Sequence, residues 1–241
     1  MFFYGIIEKN EENKWIFRKM YESFENRDLD YRQIFLGQYN SQKSYCNGEN
    51  VLSNGTIIDL YIQYNNTNLN YIDISLGWEN YPKMILDLDI IMILFDENNN
   101  YIETVYYAHK YSNYEDIFFY EDNRIGNNIS NDEIISINFK SLFKNSNSKI
   151  FSIAVIINSF KGYKLNELKS AYIKLDSNPR FFDLYRCFYI GKRIDKNGLL
   201  FGFFKKKENS YLQFKTMIFP LEITNINNIN FINNISKLIN S

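Results

Sequence analysis

The chain reads as an all-β protein, an antiparallel β-sandwich with a few short helices. Three observations carry that reading. Apolar runs of strand length, rich in Ile, Tyr and Phe, recur from about residue 52 to 222. Clusters of Asn, Asp, Gly and Ser separate them. Helical periodicity is scarce by comparison, and many short strands with few helices favour two packed antiparallel sheets.

In order, the predicted strands are Ile57–Ile62, Tyr71–Leu76, Leu88–Phe95, Tyr101–Tyr107, Ile134–Phe139, Ile150–Ile157, Ser170–Leu175, Leu199–Phe204 and Tyr211–Ile218. The segment Asp96-Glu97-Asn98-Asn99-Asn100 makes a good hairpin connection, because Asn tolerates the positive φ such turns need. Lys164–Leu168 offers a short helix. Residues 51–222 thus form the sandwich. Residues 1–50 are an N-terminal extension in which Ile16, Met20 and Phe24 recur at helical spacing beside Trp15, predicting a short amphipathic helix near 12–26. Residues 223–241 alternate Ile with Asn. Asn is a poor helix former, so a partly ordered, low-complexity tail is expected there.

Composition narrows the function classes. With 27 Lys+Arg against 28 Asp+Glu, the chain lacks the basic footprint of a nucleic-acid binder. The cluster Lys205-Lys206-Lys207 reads as a solvated turn or strand end. Two cysteines, Cys46 and Cys187, are too few for a disulfide scaffold and suit a reducing compartment. The N-terminus has no signal-peptide pattern. The longest apolar run, Ile90–Phe95, falls far short of a membrane span, so no transmembrane segment is expected. Peripheral membrane association stays open. These features predict a cytoplasmic protein. Heavy use of Asn, Ile, Lys and Tyr marks an AT-rich genome, which dilutes any argument from Asn-rich loops.

Catalytic signatures are missing. His109 is the one histidine: no other His or nearby Cys could complete a zinc site, and a Ser-His-Asp triad would have to use it, yet no nucleophile-elbow motif is present. No phosphate-binding glycine loop is present. The chain is therefore expected not to be an enzyme.

What stands out is oxygen. Asp87 and Asp89 open the Leu88–Phe95 run, and at a two-residue spacing a strand points both to one face. Asp122, Asn123, Asn131, Asp132 and Glu133 lie on a second segment just before Ile134, with Gly126 allowing a sharp turn. If the two segments meet at one end of a sandwich, they supply the carboxylate, amide and carbonyl oxygens that calcium takes in sets of six to eight. Taken singly, these acids would be read as ordinary loop solvation.

Their neighbours sharpen the reading. The chain carries, in order, Leu52-Ser53-Asn54-Gly55, Ser75-Leu76-Gly77-Trp78-Glu79, Asp87-Leu88-Asp89, Asp96-Glu97-Asn98-Asn99, Asp122-Asn123-Arg124-Ile125-Gly126, Asn131-Asp132-Glu133 and Asn158-Ser159-Phe160-Lys161. This ordered set resembles the TerD family, with its L-S-K-G, G-L-G-W-D, D-L-D-A-S, D-E-N-G, D-N-R-T-G-E-G-E-G-D-D-E and F-x-x-V-x-N-A-F/Y segments. The resemblance implies a calcium-binding β-sandwich without enzymatic activity, linked to resistance to tellurite and other stresses, with other stress-response proteins as partners. It implies metal ligands at Asp87, Asp89, Asp122, Asn123, Asp132 and Glu133, with Asn131 and Glu79 secondary. Arg124 reads either as neutralising surplus carboxylate or as an exposed loop cation.

The departures reduce charge. The family loop has six acids and one Arg, whereas Asp122–Glu133 keeps three acids and Arg124. Glu79 replaces Asp, and Ile90 and Ile91 stand where the family has Ala and Ser. Calcium affinity follows ligand charge and rigidity. The expectation is at most one well-formed calcium site, or two weak ones, and the alternative is a TerD-like scaffold or interaction module with weakened or lost calcium binding.

Overall fold

The computed structural model describes residues 5–9, 15–19, 52, 54–61, 63–64, 67–120, 124, 132–144, 148–178, 186–190, 194–207 and 211–240. In chain order the strands are β1 (Gly5–Lys9), β2 (Trp15–Lys19), β3 (Ile57–Tyr61), β4 (Gln63–Tyr64), β5 (Thr67–Asn68), β6 (Tyr71–Glu79), β7 (Leu88–Phe95), β8 (Tyr101–Val105), β9 (Ile117–Phe119) and β10 (Glu133–Asn138). Helix α1 (Phe139–Lys144) follows, then β11 (Ser152–Ser159), a 3-10 turn at Leu165–Glu167, β12 (Ser170–Asn178), β13 (Arg186–Tyr189), β14 (Gly198–Lys207), β15 (Tyr211–Leu221) and helix α2 (Ile229–Ile239). One antiparallel sheet has the order β13-β12-β6-β10-β9, and the other β3-β15-β14-β11-β7-β8. β1 pairs with β2, and β4 with β5, as separate hairpins.

Side-chain alternation explains the stacking. Ile72, Ile74, Leu76 and Trp78 of β6 share one apolar cluster with Leu88, Ile90, Met92 and Leu94 of β7. These are alternate residues, so each strand lays one face into the space between the sheets. Each such side chain contributes roughly 1.5–3 kcal/mol on burial. The other face of β7 is also apolar. Ile91, Ile93 and Phe95 join Ala154, Ile156 and Leu200 in a second cluster. Helix α2 covers that outer face with Ile232, Ile235 and Ile239. This is why β7 is buried along its whole length.

The C-terminal segment therefore corrects the expectation of a low-complexity tail. Asn is a poor interior helix residue but a good cap, and the Asn228 side chain accepts from Asn230 N at 2.8 Å. The Ile spacing then forms one stripe, and docking on the sheet supplies what propensity does not. The helix expected near 12–26 is corrected over Trp15–Lys19, which is strand β2. The aromatic and β-branched run Trp15-Ile16-Phe17 outweighs the longer-range helical spacing. Met20 and Phe24 lie outside the described residues.

Each of the nine predicted strands is present, β7 with the predicted ends and the others with shifted ones, and Lys164–Leu168 holds the 3-10 turn. Asp96–Asn100 joins β7 to β8, with Asn99 at φ 64°. Asp96 Oδ1 accepts from Asn98 N and Asn100 N at 2.8 Å each, and Oδ2 from Asn100 Nδ2 at 3.0 Å. The Asn100 side-chain bond, with the backbone bonds beside it, holds the Asp96 carboxyl below the usual carboxylate range. Lys205–Lys207 end β14, where Lys206 lies 5.5 Å from the Phe143 ring centroid and burial lowers its pKa.

At Gly77 the two sheet strands β6 and β12 carry a close approach. Gly77 faces Tyr172 across the pair, and a Cβ at Gly77 would overlap the Tyr172 ring. The ring lies over the bare backbone and is buried.

Candidate metal centre

The antiparallel registers gather the site at one end of the sandwich. β6 ends there, where Glu79 pairs with Ser170 at the start of β12. β7 begins there, where Leu88 pairs with Ser159 at the end of β11. β10 begins there as well, with Glu133 opposite Leu76.

Asp87 and Asp89 are both buried, 8% and 2% exposed. They line a cavity of about 240 Å³ together with Ile85, Tyr107, Arg124, Phe160 and Lys161. Phe160 N donates to Asp87 O at 3.0 Å, and the Phe160 ring meets Tyr107 edge-on at 5.7 Å. That fixes one wall. Arg124 comes from the connection between β9 and β10, so this connection reaches the Asp87–Asp89 cavity. Asp122, Asn123 and Asn131 belong to the same connection but lie outside the described residues.

Asp132 and Glu133 do different work. β10 begins opposite Leu76, so Trp78 lies beyond its end. Asp132 replaces the missing strand: its Oδ2 accepts from Trp78 N at 3.0 Å, while Asp132 N donates to Leu76 O at 2.8 Å. Glu133 Oε2 accepts from Ile90 N at 2.8 Å, joining β10 of one sheet to β7 of the other. Charge-assisted bonds to buried amides are stronger than neutral ones and satisfy groups that would otherwise be costly. Glu79 pairs with Lys169, and Ser170 Oγ stands 3.5 Å from its Oε2. It does not line the Asp87–Asp89 cavity.

The structure thus brings Asp87 and Asp89 together and sets Asp132 and Glu133 on backbone amides. Among the described residues, no group of three or more His, Cys, Asp or Glu could hold a metal ion. The donor chemistry of the cavity still suits a hard cation. Two buried carboxylates on one strand face supply up to four oxygens, and burying them calls for a compensating positive charge. Asp87 and Asp89 are the described residues that would hold it. The sequence missed Tyr107, Phe160 and Lys161 as cavity walls. The signal lay in Asn158-Ser159-Phe160-Lys161, but only the β7–β11 register puts that segment beside Asp89. His109 sits apart, its Nε2 3.2 Å from Glu103 Oε2.

A family model, that of the TerD domain, matches residues 50–211. The chain belongs to the TerD family. Two solved structures share the fold. One is a homologue of the telluride resistance protein TerD from Streptomyces coelicolor A3(2), at 14% identity and a TM-score of 0.53, covering 65% of this chain and 92% of that one. The other is a protein of unknown function, SAV2460, at 14% identity and a TM-score of 0.54, covering 64% and 91%. No curated protein matches the chain. The TerD match contains the metal-site segments but stops at residue 211, so most of β15 and all of α2 lie beyond it.

Proposed function

We propose that this TerD-family chain is a non-enzymatic, calcium-binding stress-response protein of the cytoplasm. Calcium would join Asp87 and Asp89 to the 121–131 connection, which supplies Asp122, Asn123 and Asn131. The observation that supports this most is the shared cavity: two buried carboxylates on one wall, and Arg124 of that connection on another. Calcium bound only by the folded chain adds stability by mass action, and it would order the connection as a surface for other stress-response proteins. Family membership supports a role in tellurite or chemical stress. A structural rather than catalytic role for Asp132 and Glu133 is supported by their engagement with backbone amides.

Calorimetric titration with calcium tests the proposal, alongside melting temperatures with calcium or chelator. The wild-type chain takes up calcium and melts higher with it, and the Asp87→Asn/Asp89→Asn variant does neither. Absence of heat and of any shift at roughly millimolar calcium, the weak end of protein sites, overturns it.

A second reading has its own support. Arg124 and Lys161 line the same cavity as the two carboxylates, so the chain supplies cations of its own. On that reading the site is a metal-free interaction module. Metal analysis of the purified protein separates the two.

A further inference from the structure

Asp89 is shared between two cavities. The second, about 620 Å³, also takes in Tyr107, Phe160 and Lys161, and its far wall is Glu222–Ile226. That wall lies beyond residue 211, where the match to the TerD domain ends.

The wall is fixed in place. Asn197 Nδ2 donates to Ile223 O at 2.6 Å, and Ile223 N donates back to Asn197 Oδ1 at 2.8 Å. Gly198 has no side chain, and a Cβ there would overlap that of Ile223, so Ile223 can press directly onto β14. Lys196 ties Glu222 at 2.9 Å.

The floor is made of acceptors. Asn158 stands in register between Asp89 of β7 and Gly198 of β14. Asn158 continues the outer face of Ala154 and Ile156, and its Oδ1 is buried with no hydrogen-bond partner among the described residues. A buried oxygen of this kind calls for a donor from elsewhere. The Asp89 carboxylate in the same lining adds negative potential. Above the floor stand Ile91, Ile223 and Ile226, and the rings of Tyr106, Tyr107 and Phe160 complete the lining.

We infer that this cavity binds a small organic amine. Its ammonium group donates to Asn158 Oδ1 beside Asp89, and its aliphatic body packs on Ile91, Ile223 and Ile226. Lys161 opposes it weakly, because an exposed ammonium is screened by solvent whereas the buried acceptors act at low dielectric. The inference does not depend on calcium.

The test uses the full-length ¹⁵N-labelled chain in excess EDTA, titrated with n-butylammonium, 1-butanol or butyrate. Backbone amide shifts are followed at residues 158, 159, 223 and 226. The expected result is saturable binding of n-butylammonium, with 1-butanol at least about tenfold weaker and Asn158→Leu weakening the amine about five- to tenfold. Amide shifts away from the cavity check that the variant is folded. If it is not, Ile226→Trp fills the cavity from the connection and abolishes binding. Lack of saturation by about 50 mM, a range well beyond useful affinity, overturns the inference. So does equal or tighter binding of the alcohol or butyrate, or shifts confined to the Asp87–Arg124 cavity. The calcium titration is read separately, so either reading can fail alone.

Discussion

Ile235→Ala tests the C-terminal helix, the element that departs most from the sequence expectation. Ile235 is fully buried between α2 and the outer face of the six-stranded sheet, in one cluster with Ile91, Ile93 and Phe95. Truncating a buried Ile to Ala costs about 2–5 kcal/mol, through lost transfer energy and the cavity left behind. Ala is the better helix former by roughly half a kcal/mol, which leaves a net loss of about 2–4 kcal/mol. For a chain of this size each kcal/mol lowers Tm by about 2–4 °C, so the variant should melt roughly 4–16 °C lower. If α2 undocks before the sandwich melts, the Tm change shrinks, and hydrogen exchange instead shows protection lost across 229–239. Ile229→Ala is the control, since Ile229 is 58% exposed and its truncation should stay within about 0.5 kcal/mol. Equal effects of the two substitutions on both stability and exchange would refute the docking of α2 and, with it, the second core.

Three further outcomes follow from single contacts. Gly77→Ala should destabilise by about 1–3 kcal/mol in urea titration, because its Cβ meets the buried Tyr172 ring, and Tyr172→Leu should recover part of the loss in the double variant. Glu133→Gln should cost about 1–2 kcal/mol, since a neutral acceptor replaces the carboxylate at Ile90 N, while Glu133→Ala should cost more by leaving that amide unmet. Asp96 has its folded pKa lowered, first by the Asn100 side chain, so its contribution is complete above the unfolded value of about 4 and fades as pH falls through the folded value. The Tm difference between wild type and Asp96→Ala should therefore be largest near neutral pH and close in acid.

Much of the fold was legible because alternation and turn chemistry are local. Leu88–Phe95 matches β7 residue for residue, and Asp96–Asn100 closes its hairpin as Asn and Asp chemistry predicts. The short strands β9 and β13 were missed, since three or four residues carry too little pattern. The docking of α2 was illegible for a different reason. Its stripe of Ile232, Ile235 and Ile239 is visible in sequence, but the apolar face awaiting it comes from strands β7, β11 and β14, far apart in the chain. The candidate site divides in the same way. The Asp87–Asp89 spacing foretold a shared face, while the β7–β11 register that brings Asn158 and Phe160 beside it is a long-range fact.

That register also changes what the acidic signature means. Read as sequence, Asp87, Asp89, Asp132 and Glu133 look like one set of ligands. In the folded chain they carry separate loads. Asp132 and Glu133 take the N–H groups of Trp78 and Ile90, so they hold the strand ends and the two sheets together. Asp87 and Asp89 line a cavity with Arg124 and Lys161, where charges of both signs are gathered. A chain that had given up calcium would still need Asp132 and Glu133 to close its sandwich. Their presence is therefore weak evidence for metal, and the weight of the calcium reading falls on Asp87 and Asp89. The two pairs should dissociate under substitution: Glu133 variants shift stability in chelator and calcium alike, whereas the Asp87→Asn/Asp89→Asn variant erases only the difference between the two conditions. If Glu133→Gln instead removed the calcium-dependent shift while leaving stability in chelator unchanged, the division of labour drawn from these contacts would be wrong.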